Sequence, residues 1–148
     1  MTLIDITSKD KIRVLVVEDR ENWRNTFCAL LEDIGYKPIQ ATCGDEFEEK
    51  ALGTDVVVLD ISMPKSVGDR ESETTGLDVL LRLQKRYPDH MGIQHPIVRS
   101  MWDREEFRDT QYANAKVDDN YWVSRNMPSA SLLNLIEKIV SMLPGGGG

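Results

Sequence analysis

Basic residues are too scarce in this chain for a nucleic-acid partner. Lys and Arg number 18 against 25 Asp and Glu, which leaves a formal net charge of −7 and a pI near 4.8. Such a surface lacks the cationic footprint that a phosphate backbone requires. Cysteine is also scarce. Cys28 and Cys43 form neither a disulfide framework nor a zinc ligand set, and they fit a reducing compartment, so a cytoplasmic location is expected. His90 and His95 lack a metal-ligand spacing and read as loop residues. No apolar run approaches the length of a membrane span. The opening MTLIDITSKDK has acids where a signal peptide needs a basic start and an apolar core. Gly-rich phosphate loops, Ser-His-Asp arrangements and internal repeats are missing too.

What is present suits one globular domain: 148 residues, 41% hydrophobic and 29% charged. Short β-branched runs alternate with helical stretches. IRVLVVE (12–18) reads as a buried strand, 22–34 as a helix with an apolar face stopped by Gly35, and 37–42 as a second strand. A brief helix through Phe47 and Leu52 precedes DVVVLD (55–60), the strongest strand signal. Residues 65–75 (KSVGDRESETT) are polar and aperiodic and read as a loop. A helix over 76–87, a strand over 97–101, a helix over 103–115, a strand over 121–124 and an amphipathic helix after Pro128 complete the pattern. The expected fold is α/β, a flavodoxin-like doubly wound sandwich with a five-stranded parallel sheet in the order 2-1-3-4-5. The domain is expected over 11–143, after a short arm (1–10) and before a Gly-rich tail (144–148) that reads as a linker or a cloning scar.

The acids fall in an informative place. Glu18 and Asp19 end the first strand and Asp60 ends the third, so three carboxylates meet at the C-terminal edge of neighbouring strands. A carboxylate pair repels by about 4 kcal/mol at roughly 4 Å and an effective dielectric near 20. Single strand-end acids are often ordinary solvated turn residues; a cluster of this kind calls for a cation. Oxygen ligands with room for water and phosphate suit Mg²⁺, or Mn²⁺ in its place.

VLVVED (14–19) together with DVVVLDISMP (55–64) resembles the response-regulator receiver domain, the CheY-like family of two-component signalling. PIVRS (96–100) and YWVSR (121–125) fall where that family keeps its other site elements. The resemblance implies that Asp60 accepts a phosphoryl group from a histidine kinase or phosphotransfer protein. It implies that Asp19 holds Mg²⁺ directly and Glu18 through water, with Asp60 and the Ser62 carbonyl as further ligands. Ser100 would bond the phosphoryl oxygen, and Tyr121 or Trp122 would be the rotating aromatic. The output would be a protein target on the face of the fourth helix, fifth strand and fifth helix, and a homodimer is a further option. No enzyme activity is implied beyond the domain's own phosphorylation and dephosphorylation.

The chain also departs from the family. The lysine expected at the end of the fifth strand is replaced by Ser124, and the proline after it by Arg125. Arg125 is either a substitute cation or a surface charge. Met101 and Trp102 stand where a small residue is usual, either narrowing access to Asp60 or packing in the core. Residues 65–75 lengthen the loop after the third strand, as a lid, a partner contact or a solvated insertion. These departures keep open a pseudo-receiver that works as an interaction module without phosphorylation. A haloacid-dehalogenase-type phosphohydrolase is disfavoured, because Ser62 occupies the place of its second aspartate.

Overall fold

The computed structural model describes residues 12–144; the expected arm and the terminal glycines lie outside them. The elements are β1 (Arg13–Val17), α1 (Glu21–Ile34), β2 (Lys37–Ala41), α2 (Gly44–Lys50), β3 (Val56–Asp60), β4 (Met63–Pro64), β5 (Glu71–Ser72), α3 (Thr75–Arg86), α4 (Met91–Gln94), β6 (Ile97–Ser100), β7 (Trp122–Ser124) and α5 (Ser129–Met142). Five strands pair in parallel in the order β2-β1-β3-β6-β7, the doubly wound topology that the sequence predicts.

Side-chain alternation along each strand divides the core into two layers. Val14, Val16, Val56, Val58, Ile97 and Val123 pack with Phe27 and Leu31 of α1 and with Leu132, Ile136 and Ile139 of α5. Leu15, Val17, Val57, Leu59 and Val98 pack on the other face with Phe47 of α2 and Leu77, Leu80 and Leu83 of α3. Gly35 ends α1 at φ 109, a left-handed conformation, and its N–H donates to the Leu31 and Glu32 carbonyls. Among the described residues no helix is long and apolar enough to cross a membrane.

Three expectations need correction. No α-helix forms over 103–115; 3₁₀ turns at Arg104–Phe107 and Gln111–Asn114 take its place. The Arg104 guanidinium donates to the carbonyls of Ala115 (2.8 Å) and Val117, folding the segment back on itself so that both residues are buried. The expected loop 65–75 contains β5, which pairs antiparallel with β4 (Met63↔Ser72, Pro64↔Glu71). It is therefore a small hairpin, with Gly68 at φ 90 near its tip. Tyr121 closes a 3₁₀ turn (Asp119–Tyr121) instead of opening β7.

Candidate functional site

Strand parity and register together assemble the site. Glu18 continues the Val14–Val16 face of β1, and because Val17 pairs with Leu59, Glu18 comes to lie beside Asp60. Asp60 pairs with Arg99, on the face of Val56 and Val58. Arg99 pairs with Val123, and Arg125 N–H donates to the Ser100 carbonyl at 3.0 Å, prolonging the β6–β7 ladder. Glu18, Asp60, Arg99 and Arg125 thus share one face at the C-terminal ends of four adjacent strands, against the start of α1 with Arg20 and Trp23.

Glu18 is fully buried and saturated. Its Oε1 accepts from Arg20 Nη2 (3.0 Å) and Arg99 Nη1 (3.0 Å), and its Oε2 accepts from Arg20 N–H (3.1 Å) and Nε (3.3 Å). Burial raises the Glu18 carboxyl, but its hydrogen bonds, those from Arg20 foremost, together outweigh it and hold the group down at about 2. Arg99 is only 1% exposed. Besides Glu18 it donates Nη2 to the Arg125 carbonyl at 3.0 Å, and its guanidinium carbon lies 3.6 Å from the centre of the Trp23 ring. Arg24 Nη1 secures the Glu18 carbonyl at 2.9 Å.

The other acids are less well satisfied. Asp60 is 1% exposed; its Oδ1 accepts from Ser62 N–H at 3.0 Å and its Oδ2 from Arg125 Nε at 3.0 Å, with Arg20 Nη2 3.9 Å from Oδ2. Burial, then the Glu18 charge, push the Asp60 carboxyl up to about 6 despite these partners. Asp19 Oδ1 is buried without a hydrogen-bond partner. Burial pushes Asp19 up to about 7, reinforced by the carboxylates of Glu18 and Glu71.

These facts test the fit of a divalent cation. Among the described residues no three His, Cys, Asp or Glu side chains converge as a ready metal cage. Glu18 explains part of this, because its four acceptor positions all point to arginine donors. Asp19, Asp60 and the Ser62 carbonyl are of the right chemistry for a hard cation: all are oxygen donors, and one Asp19 carboxylate oxygen is buried without a partner.

The remaining predicted residues are dispersed. Ser100 is buried, and its hydroxyl oxygen accepts from Trp102 N–H at 2.8 Å; the hydrogen bonds to Asp60 come from elsewhere. Ser124 is exposed, and its oxygen caps Asn126 N–H at 3.1 Å, so the cation at Asp60 is Arg125. Met101 is 67% exposed, with its sulfur 3.2 Å from Arg125 Nη1, and Trp102 is 39% exposed, so neither is core packing. Trp122 is half-buried, its Nε1 donating to the Trp102 carbonyl at 2.9 Å and its ring packing beside Phe107; Tyr121 sits on the opposite core layer. Both cysteines are buried. The sequence reading missed Arg20, Arg99 and Glu71. A lone arginine inside the apolar strand IVRS was the available signal for Arg99, since a buried charge requires a counter-charge.

No family model and no curated protein sequence matches the chain. Many solved structures match it. The response regulator TrrA of Thermotoga maritima, solved with Mg²⁺ and BeF, has a TM-score of 0.64 and 25% identity over 86% of this chain and 98% of its own. The non-phosphorylated HemR receiver domain of Leptospira biflexa has a TM-score of 0.66 and 22% identity, covering 90% of this chain and 98% of its own. The beryllofluoride-activated NtrC4 receiver domain dimer has a TM-score of 0.63 and 25% identity over 86% of this chain and 94% of its own. The chain has the response-regulator receiver (CheY-like) fold.

Proposed function

We propose that this chain is a two-component receiver in which Asp60 takes a phosphoryl group from a histidine kinase or phosphotransfer protein. The observation that carries the reading is the pocket floor. A buried aspartate has one oxygen fixed by a backbone N–H and the other by a guanidinium, next to an acid with an unpartnered oxygen. The Asp60 carboxylate attacks phosphorus, the N–P bond of the donor breaks, and the neutral imidazole leaves, giving an acyl phosphate. Arg125 would pair with the new phosphoryl oxygens, in the role that the missing lysine would have had; its Nε hydrogen bond to Asp60 supports this. Asp19, Asp60 and the Ser62 carbonyl would hold Mg²⁺, or Mn²⁺, which would neutralise charge on the equatorial oxygens. The readout surface consists of the 3₁₀ segment after β6 with β7 and α5, since no fourth long helix is built there. A protein target, or a second copy of the chain, would dock on that surface.

Incubation with acetyl phosphate and Mg²⁺ is expected to add one phosphoryl mass to the intact chain, and Asp60→Asn to add none. Absence of any adduct, with beryllofluoride also leaving tryptophan fluorescence unchanged, would favour a pseudo-receiver. One observation supports that second reading: Arg20, Arg99 and Arg125 already neutralise much of the acid cluster.

A further inference from the structure

We propose that Glu18 is not a metal ligand in this chain but the anchor of buried Arg99, and that Arg99 is a positioning residue that holds Arg125 over Asp60. The inference deepens the receiver reading, on which its functional meaning rests, although its geometry stands apart from it. A carboxylate offers about four acceptor positions. Glu18 fills them with two donors from the Arg20 side chain, one from the Arg20 backbone and one from Arg99, and it is fully buried. A cation approaching Glu18 would have to displace an arginine, and displacing Arg99 would leave its charge buried and unpaired.

Arg99 then acts at a distance. Its Nη1 is fixed by Glu18 and its face by Trp23, which itself stacks on Phe27 with ring centres 4.9 Å apart. That leaves Nη2 aimed at the Arg125 carbonyl, 3.0 Å away. The Arg125 backbone is therefore gripped from two sides, by Arg99 and by the Ser100 carbonyl, and its Nε points at Asp60 Oδ2. The two acids at the end of β1 have divided their work: Asp19 keeps a free oxygen for a cation, and Glu18 serves the arginine that orients Arg125.

The decisive protein is the double variant Glu18→Gln/Arg99→Gln, which leaves net charge unchanged and replaces the ion pair by amides. Its Mg²⁺ affinity, measured by calorimetry, is expected to stay within about threefold of wild type, whereas Asp19→Asn should lose more than about tenfold. The Arg125 Nε–H signal in ¹⁵N NMR is expected to exchange slowly in the wild type, where it donates to Asp60, and to exchange fast in the same double variant. A double variant that loses Mg²⁺ as severely as Asp19→Asn would make Glu18 a ligand and overturn the proposal. An Arg125 signal that keeps its protection would overturn the positioning role. Should the amide pair not fold, Glu18→Met/Arg99→Leu carries the same two readouts, because an apolar pair of similar volume replaces a buried ion pair well. Neither measurement requires phosphorylation. Failure of wild type to accept a phosphoryl group would therefore remove the receiver reading and still leave this one decided.

Discussion

The pocket has two halves that solve the same electrostatic problem in opposite ways. In the inner half, buried Glu18 and Arg99 join exposed Arg20 and half-buried Trp23 in a network in which the chain supplies its own cations, and the Glu18 carboxyl is held down at about 2. In the outer half, Asp19 and Asp60 lie next to the β4–β5 hairpin with fewer donors, and burial leaves their carboxyls raised to about 7 and about 6. Neighbouring acids on one strand end thus differ because alternation turns Glu18 into the sheet–helix layer, where arginines wait, and turns Asp19 away from it. The pattern locates where an external cation has something to add: only the outer half is short of positive charge.

The strongest way to break this comparison is to disturb the backbone under the outer half alone. Gly76 lies in the first turn of α3 directly behind β3, and a Cβ there would lie 2.7 Å from Ile61 Cα and 3.2 Å from the Asp60 carbonyl oxygen. Backbone cannot give way as a side chain can, so Gly76→Ala is expected to cost about 2–3 kcal/mol. Urea unfolding would measure the loss. If the halves are separate, the indole resonance of Trp23 stays put while Mg²⁺ affinity falls; movement of both would show one rigid unit.

A good part of this was legible in the sequence. IRVLVVE and DVVVLD identify buried parallel strands, and their terminal acids identify the edge where Glu18, Asp19 and Asp60 meet. Parity also links Asp60 to Arg99, since Ile97 and Arg99 share a face, yet a charged residue in a strand gives no clue to its partner until register is known. The choice between Ser124 and Arg125 depended on where β7 stops, and strand ends are set by pairing partners that local pattern does not contain. The segment after β6 misled for a different reason. Its polar residues tolerate a helix, but Arg104 satisfies two distant carbonyls instead, a tertiary choice that overrides propensity. The hairpin strands are two residues long and exposed, too short to show any period.

A smaller effect sharpens the comparison through pH. Asp19 and Asp60 are raised, so between roughly pH 4.5 and 7 the native state holds protons that the unfolded chain has already lost. Stability of the metal-free protein is therefore expected to fall as pH rises through that window. Glu18 works the other way: its contribution is complete above its unfolded value of 4.5 and is lost only as pH drops toward about 2. Urea midpoints taken from about pH 5 to about pH 7.5 should decline without Mg²⁺ and flatten with excess Mg²⁺, since a bound cation favours the ionised acids. Asp19→Asn should remove much of the decline, whereas a slope unchanged by that substitution would place the proton elsewhere.

The smallest effect tests how far the outer half extends. Glu71 reaches the pocket only because the hairpin pairs it with Pro64, and its charge contributes to the rise of Asp19. Glu71 is exposed, so Glu71→Gln should change stability by no more than about 0.5 kcal/mol. The same substitution should lower the Asp19 titration midpoint read from its carboxyl ¹³C shift, because one neighbouring negative charge has gone. Asp60 is the internal control, since the main influences on it are burial, Glu18, Ser62 and Arg125 rather than Glu71. An Asp19 midpoint that does not move would detach the hairpin from the pocket and make it a solvated insertion. A shift confined to Asp19 would make the hairpin the outer wall of the cation site, an acid supplied by the segment that lengthens this chain after its third strand.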